Sequence, residues 1–261
     1  MVRNITKGAK RKVREVMKPI EPDLLYPLLR GRDVQRWRAV PSAYILMVQD
    51  PETRRGIAEE ELKARYPETW KYLERFKPLL RERAAFKRYF TRRDKTGRII
   101  ETGPFYSMFD VGDYTFAPWK VVWTRIAQIS AAVVSEQDGK PVIPQETITL
   151  VSCDSEREAH YITALVNSAP FQFATSSYSQ EGGKSMGSMH VLENIRIPKY
   201  APANPVHQAL AEASREAHKA AVQGNEARLR KIETQIDSFA AQLWGLTDKE
   251  LKEIKSGLEE L

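Results

Sequence analysis

The sequence predicts an α+β fold, a mixed α/β domain followed by a C-terminal helical segment. Three observations carry this reading: helical spacing of Leu62, Tyr66, Leu73, Phe76 and Leu80, β-rich runs at 44–49 and 115–126, and a seam of Leu229, Ile232, Ile236, Phe239 and Leu243 at steps of three and four. The chain has 261 residues, 42% hydrophobic and 29% charged, a composition that excludes collagen, disorder and disulfide scaffolds.

Residues 1–18 are densely basic with few apolar positions and read as a mobile or weakly helical arm. The turn Gly31-Arg32-Asp33 is read as opening a short helix, and Tyr44 to Gln49, bounded by Pro41 and Pro51, as a buried strand. From Ile57 to about Arg88 the pattern is helical, starting one helix at Pro67 and broken at Pro78. Residues 91–114 mix turn residues with short apolar pieces and are expected to form an irregular exposed loop. Thr115 to Ile126 is expected as strand, and Ser130 to Val151 as two strands around the hairpin signal Asp138-Gly139. Ser155 is placed to cap a helix ending at Asn167, and a short helix at 189–193 and a short strand at 195–198 close this region. Beyond Pro202 to Pro205, read as a boundary, a helix runs to Gly245, and Thr247-Asp248-Lys249-Glu250 is a capping box opening the last one.

One cysteine, Cys153, and four scattered histidines leave neither an internal disulfide nor a multi-cysteine zinc site. No stretch has the apolar length of a membrane helix and the basic N-terminus lacks a signal-peptide core, so the chain is expected in the cytoplasm with no membrane partner. The net charge of +7 is unevenly distributed: residues 1–18 hold seven Lys/Arg against one acid and residues 63–98 hold thirteen against four, leaving the remainder acidic. Such a strip points to a polyanionic partner, nucleic acid first. The interleaved aromatics Tyr66, Trp70, Tyr72, Phe76, Phe86, Tyr89 and Phe90 read mostly as core.

Catalytic signatures are absent: no phosphate-binding Walker loop, no G-x-G-x-x-G after a strand, no H-E-x-x-H and no G-x-S-x-G. Asp138-Gly139-Lys140 has a nuclease-like acid-x-Lys spacing, which turn geometry alone explains. The Gly/Ser-rich run 178–188, with Lys184 and Ser185, offers free backbone N–H groups for phosphate, and the loop cations Arg92, Arg93, Lys95 and Arg98 are suited to a groove or phosphate contact.

Several segments together carry a resemblance. Tyr26-Pro27-Leu28-Leu29-Arg30-Gly31-Arg32-Asp33-Val34-Gln35-Arg36-Trp37, Pro67-Glu68-Thr69-Trp70-Lys71-Tyr72-Leu73, Lys120-Val121-Val122-Trp123-Thr124-Arg125-Ile126, Ala164-Leu165-Val166-Asn167-Ser168 and Leu192-Glu193-Asn194-Ile195-Arg196-Ile197-Pro198 occur in the same order as similar segments of the target-recognition region of adenine-N6 DNA methyltransferases of the type IIG restriction-modification class. The last also resembles a segment of type I restriction specificity subunits. The resemblance covers roughly residues 20–261. These residues include neither an N-P-P-Y/F motif nor a glycine-rich S-adenosylmethionine loop, so the resemblance implies recognition rather than catalysis.

The expected organisation is a basic N-terminal arm over 1–19, an α/β DNA target-recognition domain over 20–204 and a helical segment over 205–261. The helical segment is either a docking surface for a methyltransferase or plain core of the same domain. The expected partners are double-stranded DNA and a methyltransferase or endonuclease subunit. No catalytic residue, metal or cofactor is assigned to this chain, S-adenosylmethionine entering only through a partner. The expected DNA-binding residues are Arg83, Lys87, Arg88, Arg92, Arg93, Lys95, Arg98, Lys120, Arg125, Lys184 and Ser185. Two other readings compete: a metal-dependent nuclease using acids such as Asp110, Asp113 or Glu146, and a basic protein-interaction module.

Overall fold

The computed structural model describes residues 1–8, 11–124, 129–178 and 192–260. Helices and small sheets share the chain, as an α+β fold requires. It divides into two compact units, Met1–Tyr26 with Ile45–Asp113, and Pro27–Tyr44 with Tyr114–Leu261. The expected boundaries at 19/20 and 204/205 do not coincide with this division.

In the first unit, the expected mobile arm is instead an antiparallel ribbon, Val2–Arg3 against Met17–Lys18. The Asn4 side chain closes it, accepting from Val16 N at 2.7 Å and donating to Arg14 O at 3.0 Å. These local bonds let a segment almost without apolar residues hold a fixed conformation. The helical stretch is four short helices, Glu59–Arg65, Pro67–Glu74, Lys77–Arg81 and Ala84–Tyr89, and two of them begin with proline near the first position. Glu21 caps the Pro67–Glu74 helix from 47 residues away, its carboxylate accepting from Glu68 N at 3.0 Å, Thr69 N at 2.8 Å and Thr69 Oγ1 at 2.7 Å. Burial alone would raise its carboxyl; the hydrogen bonds outweigh that and hold it below the ordinary range. Leu24, Val48, Ile57, Leu62, Leu73, Phe86, Phe105 and Tyr106 form this unit's core.

Residues 91–114 are more ordered than expected. Thr91–Arg93 pairs with Ile99–Glu101 as a hairpin, Arg92 opposite Ile100. Its turn is built on Asp94, whose Oδ1 accepts from Thr96 N at 2.8 Å, Thr96 Oγ1 at 2.7 Å and Arg98 N at 3.0 Å, with Gly97 at φ +83°. The expected strand at 44–49 is short, Ala43–Leu46, and the buried residues Met47, Val48 and Gln49 lie beyond its end.

The second unit is built on the sheet Ala132–Val134, Trp119–Thr124 and Ile148–Cys153, all antiparallel, with Trp119–Thr124 central. The strand expected from Thr115 begins only at Trp119, after a helical turn at Asp113–Phe116 and Pro118, which has no N–H for a ladder. Glu136–Gln137 and Lys140–Pro141 form the expected hairpin, with Asp138 at φ 54° and Gly139 at φ 72°, the positive pair a tight two-residue turn demands. Gly31–Asp33 is a single 3-10 turn leading into Val34–Gln35, a strand rather than the expected helix, because Asp33 folds back to accept from Arg30 N at 2.8 Å.

Helix Glu156–Asn167 is capped by Ser155 Oγ, which accepts from Glu158 N at 3.2 Å. Helix Ala169–Tyr178 follows directly. Residues 195–198 are not strand; the region is fixed by side-chain donors instead, Tyr161 Oη to Pro198 O at 2.9 Å and Trp244 Nε1 to Arg196 O at 3.3 Å. The helices Pro205–Val222, Glu226–Trp244 and Asp248–Glu259 begin at the caps Asn204, Asn225 and Thr247, and Gly245 ends the second at φ 70°. Leu210, Ala211, Ala217, Ala220, Ile232, Ile236 and Ala240 share one core with Trp37, Tyr161, Ala164 and Leu165. The alanines let helix backbones approach closely, and the helices Pro205–Val222 and Glu226–Trp244 belong to the core of this unit.

Candidate nucleic-acid interface

The charge divides with the fold. Both basic segments belong to the first unit, which carries 22 Lys/Arg against 15 Asp/Glu, whereas the second carries 19 of each. The entire formal excess of +7 therefore resides in the first unit.

Within that unit the structure sorts the expected contacts. Lys87 and Arg88 are exposed on the Ala84–Tyr89 helix, and Arg92, Arg93, Lys95 and Arg98 are exposed on the hairpin that follows it. Lys87 Nζ pairs with Glu82 at 2.7 Å and Arg93 Nη1 donates to Gly97 O at 2.7 Å, while no described carboxylate pairs with Arg92, Lys95 or Arg98. From Arg83 to Arg93 the chain holds five cations and no acid. Of these exposed cations Arg88, Arg92, Lys95 and Arg98 can meet an anion without first breaking a described ion pair.

Two expected contacts have other work. Arg83 is a structural clamp: its guanidinium donates to the carbonyls of Leu80 at 2.9 Å, Phe105 at 2.9 Å and Ser107 at 3.0 Å, so its donors are engaged inside the protein. Lys120 is 1% exposed on the central strand, and its ammonium donates to Ala117 O. Burial pushes its pKa down to about 8, and a phosphate has no path to it. Arg125, Lys184 and Ser185 lie outside the described residues.

One feature escaped sequence reasoning. Tyr89 and Phe109 are stacked face to face, ring centroids 3.6 Å apart and planes at 9°, and are 41% and 48% exposed. The Arg88 guanidinium lies 5.2 Å from the centre of the Tyr89 ring. Phe109 is held in place by its neighbours: buried Gln49 accepts from Met108 N at 3.1 Å and donates to Arg54 O at 3.0 Å, and Arg83 binds Ser107 O. The segment packs so closely that a Cβ at Gly56 would meet Ser107 Oγ at 2.7 Å. Tyr89 stood among the interleaved aromatics, but Phe109 lay in a stretch read as irregular loop, and no periodicity relates the two.

The acids weighed for a nuclease are dispersed. Asp113 is paired with Arg54, Asp110 sits at φ 62°, and Glu146 is exposed in the other unit. Among the described residues no three His, Cys, Asp or Glu side chains gather where they could hold a metal ion. Cys153 is buried, and that burial pushes its thiol up to about 12. No helix among the described residues is long and apolar enough to cross a membrane.

No protein-family model matches the chain. Over 152 residues, 58% of its length, it is 30% identical to the type II methyltransferase M.NspV of Nostoc sp.. The chain spans 28% of that methyltransferase. Its fold also matches part of the type IIL restriction-modification enzyme MmeI, whose structure was solved in complex with DNA: the TM-score is 0.57 at 12% identity, covering 89% of this chain and 31% of MmeI. The second likeness is one of fold.

Proposed function

We propose that this chain is the DNA target-recognition part of a restriction-modification methyltransferase, and that methyl transfer with S-adenosylmethionine belongs to a partner subunit or segment. The observation that carries the reading is the confinement of the whole excess positive charge to one compact unit, where Lys87, Arg88, Arg92, Arg93, Lys95 and Arg98 line one helix and the adjoining hairpin. Relationship to a type II methyltransferase and a fold shared with part of a DNA-bound restriction-modification enzyme support it. In this reading phosphate neutralisation by the arginines supplies most of the affinity, and base-edge contacts from neighbouring side chains supply the sequence preference.

Fluorescence anisotropy with a labelled mixed-sequence duplex at about 50 and about 200 mM salt tests it, because several phosphate contacts weaken binding by orders of magnitude over that range. A steep loss of affinity with salt is the expected result. Absence of binding at the lower salt overturns the reading.

A further inference from the structure

We infer that the Tyr89–Phe109 pair is a nucleobase-stacking site: it receives the π face of a base freed from its neighbour, while Arg88 and Arg92 neutralise the adjoining phosphates. The inference rests on the DNA-binding reading and adds a site and a ligand chemistry to it.

The pair differs in exposure from the other aromatic contacts of its unit; the stacked pair Phe86–Phe90, planes at 26°, is anchored in the core by Phe86. In the core, Trp70–Phe105, Trp70–Tyr106 and Phe105–Tyr106 meet edge to face at 65°, 83° and 75°. Tyr89 and Phe109 instead lie parallel and open to solvent. Two exposed rings at this spacing leave a flat apolar surface in water, the kind of platform on which a base stacks. The surface is also held ready, since Gln49 and Arg83 bind the backbone at Met108 and Ser107, next to Phe109. Little ordering entropy is then lost when a ligand arrives.

Charge selects the occupant. The Arg88 guanidinium lies against the Tyr89 ring, and Lys87, Arg92 and Arg93 flank Tyr89 in the sequence, with no acid between Arg83 and Arg93. A base attached to its phosphates satisfies both the flat apolar face and the cations Arg88 and Arg92, for which an uncharged apolar partner supplies no counter-ion. An opened duplex step and a single strand present the same π face, so both probes enter the test.

The full-length chain is titrated by anisotropy against a mixed-sequence duplex and a single strand of equal length, at several salt concentrations between about 50 and 200 mM. Phe109→Leu is expected to weaken binding roughly five- to hundredfold without changing the slope of log Kd against log salt, because stacking releases no counter-ions. Phe109→Tyr is expected to restore affinity, and Arg92→Ala to lower the slope by about one. Loss confined to the duplex identifies an opened step, and loss on both probes a platform that accepts any strand; either supports the site. Affinity within about twofold of wild type for Phe109→Leu on both probes overturns it, as does failure of Phe109→Tyr to rescue. Self-association that Phe109→Leu abolishes while DNA affinity stays unchanged also overturns it and assigns the rings to a second copy. If the wild-type chain binds neither probe, the DNA-binding reading itself falls and the stacking site with it.

Discussion

The indole Nε1 of Trp37 donates to Glu233 Oε1 at 2.8 Å, joining residues 196 positions apart. The same oxygen accepts from Arg36 Nε at 2.5 Å, and Arg36 Nη2 donates to Asn167 O at 2.6 Å, the last residue of its helix. Asn167 in turn exchanges two hydrogen bonds with the backbone of Ala131, both 2.9 Å, and Trp37 N donates to Ala131 O at 3.0 Å. Trp37 achieves this at φ 63°, a conformation rare for a large residue and tolerated because every surrounding group fixes it.

Glu233→Ala leaves a buried indole N–H and the Arg36 guanidinium without their acceptor. The expected loss is about 1–3 kcal/mol, read from urea denaturation. Glu233→Gln keeps an oxygen in place and is expected to lose less. Equal stability of all three proteins would refute a structural role for this network.

Glu21 gives a pH-dependent contribution whose sign follows from its lowered carboxyl. A carboxyl depressed by folding contributes stability that is complete above its unfolded value, and this is lost as pH falls through the folded one. Glu21→Gln is therefore expected to cost about 1 kcal/mol near pH 7, the usual value of a helix cap, and progressively less below about pH 4. Denaturation midpoints of both proteins across that range provide the check.

His160 and His218 act in the same direction from a different cause, burial of the neutral ring. Their rings meet edge to face at 4.9 Å; His160 Nδ1 lies 3.1 Å from Ser214 Oγ, and His218 bridges Ser214 O at 2.7 Å and Val133 N at 2.9 Å. Burial first, then the nearby His218, Arg215 and Lys219 charges, lowers His160 to about 3; burial lowers His218 to about 4. Both are neutral when folded and bind protons when unfolded below their ordinary 6.5. Stability is thus expected to be complete above about pH 6.5 and to fall as pH drops toward 4. His160→Asn is expected to flatten this dependence, seen as a shallower drift of melting temperature with pH.

Arg83 and Arg92 separate stability from binding. Arg83→Ala removes the donors holding three carbonyls and is expected to cost about 1–3 kcal/mol in denaturation. Arg92→Ala removes an exposed side chain and is expected to change stability by less than about 0.5 kcal/mol while weakening DNA binding. Reversal of the two outcomes in paired denaturation and anisotropy experiments would contradict the assignment of roles.

Much of this architecture was legible wherever a residue's local chemistry decided its conformation. The Asp138-Gly139 turn, the Ser155 and Thr247 caps and the Gly245 stop depend on neighbours within a few positions, and the sequence reads them directly. The N-terminal ribbon did not show, because its residues supply no apolar alternation and it is held by backbone pairing and the side chain of Asn4. The hairpin at 91–101 was hidden by its charged residues. Arg83 and Lys120 illustrate a different limit: a cation in a basic run or beside a β-rich stretch looks the same in sequence whether it faces water or backbone carbonyls. The segments that carried the family resemblance turned out to supply much of the frame, as Arg36, Trp37, Trp123 and Asn167 do. They identify a fold.

The chain passes between its two units three times, after Tyr26, after Tyr44 and after Asp113. This ordering has a consequence during synthesis. Every residue of the basic unit has been made by Asp113, whereas the early piece 27–44 must wait for the helices beyond Pro205 that complete the core around Trp37. The unit that carries the positive charge can therefore finish folding first, and the neutral unit assembles last, around a strip that left the ribosome more than a hundred residues earlier.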